Sequence, residues 1–168
     1  AVVIFHLCGH NPTGVDPTQE QWEVLCDISF KKHFRVIFDS AYQGYASGDL
    51  NTDAFAARLF ARRGLDLIAC QSYSKNMGLY GDRLGCFSVL CSNADCADRV
   101  QRHINAMVIR PMYSSPPGHP ARIAHRILSN PDRFAQWQAE LKIMSARILH
   151  MRHMLHDELV RLETPGEW

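Results

Sequence analysis

Leu65-Asp66-Leu67-Ile68-Ala69-Cys70-Gln71-Ser72-Tyr73-Ser74-Lys75, written LDLIACQSYSK, joins a short apolar run to a lysine set among polar residues. The run is nearly continuous in hydrophobicity, so Leu65 to Cys70 reads as a buried strand. Val2 to Leu7, Arg35 to Ser40 and Leu84 to Leu90 read the same way. Runs that do not alternate predict strands covered on both faces.

Helical patterns separate these runs. Thr18 to His33 has Asp16 or Thr18 as N-cap, Glu20 in its first turn, and Trp22, Leu25, Cys26 and Phe30 at helical spacing. Asp53 to Arg63 and Asn93 to Val108 are further amphipathic candidates. Strand and helix alternation predicts an α/β fold with a mostly parallel sheet covered by helices. Functional groups of such sheets gather where strands end. His6 to Asn11, Asp39 and Ser72 to Lys75 sit at these ends. From Pro131 to Leu162 one long helix is expected, roughly 45 Å at about 1.5 Å per residue. That length predicts a link between two domains.

The chain has 168 residues, 46% hydrophobic and 21% charged, the composition of a globular protein able to bury a core. Its net charge of +1 is scattered, which argues against an electrostatic grip on nucleic acid or an anionic membrane. No apolar run approaches the roughly 20 residues of a membrane-spanning helix. The six cysteines include no C-x-x-C pair and lie mostly in apolar runs, which favours a reducing compartment. The first residues already form a strand-like run and the last follow a long helix, so the chain reads as a piece of a larger protein.

Several motifs carry competing readings. His6, Cys8 and His10 share one strand face, but the segment offers no fourth ligand at zinc spacing, so no metal site is expected. His150, His153 and His156 interleave with Arg152 and Asp157 and read as a solvated helix face. Asp39 at a strand end is either a cap for the next turn or a buried counter-charge. Asn11, in HNPTG, belongs to a turn signal that by itself marks only a loop, while its place after a strand favours a position facing a cleft. Ser72-Tyr73-Ser74-Lys75 matches S-x-x-K, the serine-nucleophile signature, but its partner motifs S-D-N and K-T-G are absent and Gly78 and Gly81 break any following helix. The alternative makes Lys75 itself the nucleophile, with Arg83 holding a phosphate and Asp39 pairing with a ring nitrogen, as pyridoxal phosphate demands.

Four blocks, HNPTGVDPT, FDSAYQGYASG, SYSKNMGLYGDRLG and IRPMYSSPPGHPARI, resemble the aspartate aminotransferases, fold-type I pyridoxal-phosphate enzymes of aminotransferase class I. Order and spacing agree over essentially the whole chain. The resemblance implies that Lys75 forms the Schiff base with pyridoxal 5'-phosphate and then acts as acid and base at the substrate α-carbon. Asp39 would keep the pyridine nitrogen protonated, with His6 supporting it from behind. Asn11 and Tyr42 would bond the ring's phenolic oxygen, and Asn11 would also border the substrate. Ala41 would pack under the ring, while Ser72, Ser74 and Arg83 would surround the phosphate. Arg110, accompanied by Ser114, would reach across a homodimer to the distal carboxylate of dicarboxylic amino and keto acids. That arginine disfavours an aromatic or kynurenine-type relative. The retained Lys75, Asp39 and Arg83 disfavour a non-catalytic fragment keeping only the fold.

Ser115, Pro120-Ala121 and Gly81-Asp82 depart from the usual family residues without removing a group assigned here. The resemblance further implies that residues 1–143 form part of the cofactor-binding large domain. Residues 144–168 would then be the second half of the linking helix and the start of a small domain. The arginine for the substrate α-carboxylate falls outside these residues, so the segment by itself is expected to be inactive. An intracellular, cytoplasmic location is expected, with an organellar one left open.

Overall fold

A computed structural model describes residues 1–168. Four strands, β1 (Val2–His6), β2 (Arg35–Ser40), β3 (Leu67–Ser72) and β4 (Gly85–Leu90), form one sheet in the order β1-β2-β3-β4. The first three are parallel and β4 runs antiparallel to β3. The α/β architecture with a mostly parallel sheet is therefore as expected. β3 lies two residues later than its apolar run, because Ser72 still pairs with Gly85. Gly85 is needed there, since a Cβ would meet the Gln71 carbonyl oxygen at 2.5 Å.

Helix α1 (Gln19–Lys31) follows β1. Thr18 is its N-cap: the hydroxyl accepts from Gln21 N, and the Gln21 side chain accepts from Thr18 N, a reciprocal capping box. The single helix expected over Asp53 to Arg63 is divided at Ala54 into α2 (Leu50–Asp53) and α3 (Phe55–Arg62). Trp22 from α1, Phe5 and Phe38 from the sheet and Phe60 from α3 meet with ring centroids 5.2–6.3 Å apart. All of these pairs but the tilted Phe5–Phe38 are edge-to-face, and such packing adds roughly 0.5–1.5 kcal/mol per pair beyond simple burial.

All the helices of this core lie against one face of the sheet. On the other face Val2 and Ile4 are 63% and 64% exposed and Phe87 is 54% exposed. The expectation of strands covered on both faces is therefore corrected: within this chain one face is covered and one is open. Its strands lack alternation because both of their faces carry apolar residues, not because helices cover both.

After β4, α4 (Ala94–Ile104) starts at Asn93, whose side chain accepts from Cys96 N. It continues through a π-helical turn (Asn105–Ile109) into α5 (Arg110–Tyr113). Helix α6 (Gly118–Leu128) and the 31-residue α7 (Pro131–Arg161) complete the chain. Asn130 caps α7 with Pro131 in its first turn, within a residue of the expected bounds. Only the first half of α7 is anchored: Trp137, Leu141 and Ser145 are buried, while Ile148, Met151 and Leu155 are exposed. No helix is long and apolar enough to cross a membrane.

Phe38 is fully buried at the centre of the aromatic cluster. Phe38→Ala is expected to lower unfolding stability by about 3–5 kcal/mol, read from denaturant midpoints at unchanged slope.

Candidate functional site

The parallel ladders place His6 beside Asp39 and Asp39 beside Cys70. Side chains in register share a sheet face, so these three stand in a row at the carboxyl ends of β1, β2 and β3. Asp39, Cys70, Ser72 and Arg83 line an open cleft of about 500 Å³ with Ile4, Ile37 and Phe87. Burial, and secondarily the Asp39 carboxylate, push the Cys70 thiol up. The thiol therefore stays protonated. Nothing in the sequence around Cys70 marks it, because its significance lies only in the β2–β3 register.

Lys75 is in the turn after β3, outside any helix. Its Nζ stands 5.2 Å from the Tyr42 ring centroid and 5.5 Å from that of Tyr80. Tyr42 comes from the turn after β2, where the Gly9 backbone approaches so closely that a Cβ would sit 3.0 Å from Tyr42 Cβ. Gly9 also has φ 62°, the left-handed region that glycine adopts without strain. Lys75, Tyr42, Tyr45, Asp16 and Arg152 line a second cleft of about 530 Å³, closed on one side by Ile148 and Leu149 of α7. Ala41 lies between buried Ser40 and half-buried Tyr42.

On the far side of the lysine turn, Arg83 Nη1 donates to Ser74 Oγ at 3.4 Å and to the Tyr80 carbonyl at 3.0 Å. Ser72 Oγ accepts from Ser74 N at 3.2 Å. Arg83 has φ 56°, a conformation disfavoured for a residue with a Cβ. Two hydroxyls and a guanidinium thus converge on one turn, a donor set suited to a phosphate.

The loop before Asn11 is shaped by Asp16, which the sequence pattern marks only as a candidate cap for α1. Its carboxylate accepts from Gly9 N at 2.7 Å and His10 N at 2.8 Å. Asn11 precedes a cis proline, and its N–H donates to His6 Nδ1 at 3.1 Å. That bond places the His6 proton on Nε2, free to serve a neighbouring acceptor. His6 also lies 4.8 Å from the His10 ring, and His10 Nδ1 pairs with Thr13 Oγ1.

A second carboxylate, buried Asp53, accepts from Gly44 N, Ser47 N and Ser47 Oγ and fixes the turn after Tyr42. Beneath the two turns Gln71 Nε2 donates to Gln43 Oε1 at 2.6 Å, and Asn76 Nδ2 donates to the Gln43 carbonyl at 3.1 Å. Ser40 Oγ and Asn76 Oδ1 are buried without partners. Such orphaned atoms persist where surrounding structure over-determines them. Gln43, Asp53 and Asn76 carried no sequence signal, since each acts on a segment distant along the chain or through a tight turn.

Arg110 and Ser114 are not brought to this cluster. Both are exposed, on α5 and just after it, and neither lines the Lys75 or the Asp39 cleft. Ser114 has φ 63° and its N–H donates to the Ile109 carbonyl.

The family profile described as aminotransferase class I and II matches residues 1–167. The chain is 51% identical over 168 residues to the aspartate aminotransferase, cytoplasmic, of Oryza sativa subsp. japonica, covering 100% of this chain and 41% of the relative. It superposes with TM-score 0.97 and 53% identity on a putative aspartate aminotransferase from Leishmania major Friedlin, covering 100% of this chain and 42% of that one. The broad specificity aminotransferase from Leishmania mexicana gives TM-score 0.96 and 52% identity, covering 100% and 41%. The chain thus spans about two fifths of the length of the relatives it matches.

Asp16→Ala removes the acceptor of two backbone N–H groups. It is expected to cost about 1–3 kcal/mol and to raise hydrogen exchange at residues 9–14 while leaving α1 protected.

Proposed function

Because the chain belongs to aminotransferase class I and II, we propose that the protein is an aspartate aminotransferase dependent on pyridoxal 5'-phosphate. It transfers the amino group between L-aspartate and 2-oxoglutarate, giving oxaloacetate and L-glutamate by a ping-pong cycle. The observation that carries this reading is the gathering of a lysine, a carboxylate and an arginine–serine pair at the ends of adjacent parallel strands.

The donor set fits the cofactor. Arg83 and Ser74 form a convergent cation and hydroxyl for a phosphate dianion, with the Ser72 hydroxyl bonded to Ser74 N beside them. Asp39 offers a carboxylate to a ring nitrogen, and Lys75 offers an amine between two phenol rings. When bound, pyridoxal phosphate supplies an electron sink for negative charge at the substrate α-carbon.

The protein's own groups supply the rest. Lys75 Nζ takes the proton from the substrate α-carbon and holds it for redelivery. The face of Tyr42 stabilises that amine when it is protonated, by roughly 0.5–1 kcal/mol at an exposed site. Asp39 holds a positively charged ring nitrogen by direct charge pairing, and His6, beside it in register, has Nε2–H available to fix the carboxylate. Tyr42 and Asn11 orient a phenolic oxygen through hydroxyl and amide donors. Ala41, a small residue before Tyr42, leaves room for a flat ring.

The reading assigns Arg110 and Ser114 to the neighbouring subunit's site in a homodimer, which agrees with their exposure away from both clefts. Residues 1–143 then belong to the cofactor-binding large domain, and residues 144–168 to the far half of the linking helix and the start of a small domain. The loss of burial along α7 after Ser145 supports that division. The compartment proposed is the cytoplasm, as in the name of the rice relative, with an organelle, as in the names of a chloroplastic relative from Arabidopsis thaliana and a mitochondrial one from Gallus gallus, as the alternative. A wider substrate range is the second reading, favoured by the name of the broad specificity aminotransferase from Leishmania mexicana.

Borohydride reduction of the full-length protein with pyridoxal phosphate is expected to fix one cofactor on Lys75, and Lys75→Ala to fix none. Absence of fixed cofactor on the parent protein sinks the enzyme reading. Arg110→Ala is expected to lower kcat/KM for aspartate by about 100-fold or more while sparing an aromatic substrate, because the unpaired fork penalises only the dicarboxylic one. Equal losses for both substrates exclude Arg110 as the distal-carboxylate residue.

A further inference from the structure

Two consecutive carbonyls of the lysine turn are held from outside the turn. The Lys75 carbonyl accepts from the Tyr45 hydroxyl at 3.1 Å, and the Asn76 carbonyl accepts from the Trp137 indole Nε1 at 2.7 Å. Trp137 is a buried residue of α7. Tyr45 is itself tied to α7, since its own carbonyl accepts from Ser145 Oγ at 2.9 Å and its hydroxyl touches Met144 Sδ at 3.7 Å. Within residues 73–79 the backbone supplies two bonds of its own, Gly78 N to the Lys75 carbonyl and Leu79 N to the Tyr73 carbonyl, at 3.0 and 3.3 Å. The turn is therefore set by α7 as much as by its own backbone.

We propose that Tyr45 and Trp137 are positioning residues for Lys75, clamping the turn that carries it to α7 so that the seating of this helix sets where Nζ points. The proposal rests on the reading of Lys75 as the cofactor-bonded lysine. Its physical logic is leverage. Lys75 Nζ is four carbons from a backbone fixed at its own carbonyl and at the next one, so a small shift of α7 moves the amine against Tyr42. The same helix carries Ile148, Leu149 and Arg152 into the Lys75 cleft. A molecule that fills the cleft and presses on those residues acts on the helix that sets the lysine. Burial pushes the Tyr45 phenol up, so it remains an O–H donor through neutral pH. Between its two possible acceptors the carbonyl oxygen is stronger than the thioether, so the hydroxyl proton belongs to Lys75.

Tyr45→Phe deletes only the hydroxyl, and Trp137→Phe keeps an aromatic ring while deleting the N–H donor. The ionisable groups around Nζ are Tyr42 and Tyr80 beside it, Arg83 over the same Tyr80 ring, and Asp16, Tyr45 and Arg152 in the cleft. Trp137→Phe removes none of them, so any change in proton affinity at Lys75 in that variant reports geometry and not a lost charge.

The test uses the full-length protein in two states. In the cofactor-free state, hydrogen exchange of the peptide covering residues 73–79 is expected to speed up about tenfold in each variant, with residues 19–31 unchanged as the control for folding. In the cofactor-loaded state, kcat is expected to fall about tenfold with KM little changed. The pH midpoint of the lysine-bound cofactor's absorbance is expected to move by about half a unit. Unchanged exchange at 73–79 in both variants overturns the proposal. Faster exchange with an unmoved pH midpoint and unmoved kcat also overturns it, since the bonds are then merely structural. If borohydride fixes no cofactor on the parent protein, the enzyme reading fails instead, and the exchange data still show whether the clamp exists.

Discussion

The in-register parallel ladder of β1, β2 and β3 is the constraint on which the candidate site depends. It pairs His6 with Asp39 and Asp39 with Cys70, and it brings the carboxyl ends of three strands within two residues of one another. The three turns that follow then open toward neighbouring clefts. The ladder is held from one side by the Trp22, Phe5, Phe38 and Phe60 cluster. A one-residue slip in any strand would exchange core and site faces together. Fold and site are therefore specified by the same register.

What the strands cannot do is fix the turns themselves, since irregular backbone has no ladder to complete. Buried or half-buried side chains replace the missing partners. Asp16 takes the N–H groups of Gly9 and His10, Asp53 those of Gly44 and Ser47, and Tyr45 and Trp137 bind the carbonyls of Lys75 and Asn76. Carboxylates serve where the orphaned groups are donors, and phenol and indole serve where they are acceptors, as hydrogen-bond chemistry requires. Charge is arranged in the same economy. Acidic Asp39 and basic Arg83 share one cleft, and Lys75 rests against phenol faces instead of a carboxylate.

The long helix α7 has two distinct halves. Its first half is packed through Trp137, Leu141 and Ser145, and Leu141 meets the backbone at Gly44 so closely that a Cβ there would lie 2.8 Å from Leu141 Cδ1. Its second half presents Ile148 and Leu149 to the Lys75 cleft and leaves Met151 and Leu155 exposed. One rigid element thus touches the core, the turn that bears the lysine and the cleft in front of it.

The sequence by itself determined the α/β class, the strands to within two residues, the start of α1 and both ends of α7. Apolar runs, the Thr18 and Asn130 caps and Pro131 are local signals with local physical causes. It also marked the chemistry-bearing residues near Lys75, because the resemblance rests on motifs and each motif follows a strand. The openness of one sheet face was not legible there, since an apolar residue reads the same whether or not anything covers it. Nor were the split at Ala54, the π-helical turn before Arg110, or helices α5 and α6. Only the tertiary structure decided that Cys70 neighbours Asp39, that Asp16 and Asp53 shape the turns, and that Trp137 reaches Asn76 across 61 residues of chain. Those contacts join positions far apart in sequence, and a hydrogen bond between them exists only once the sheet register and the packing of α7 have brought them within about 3 Å.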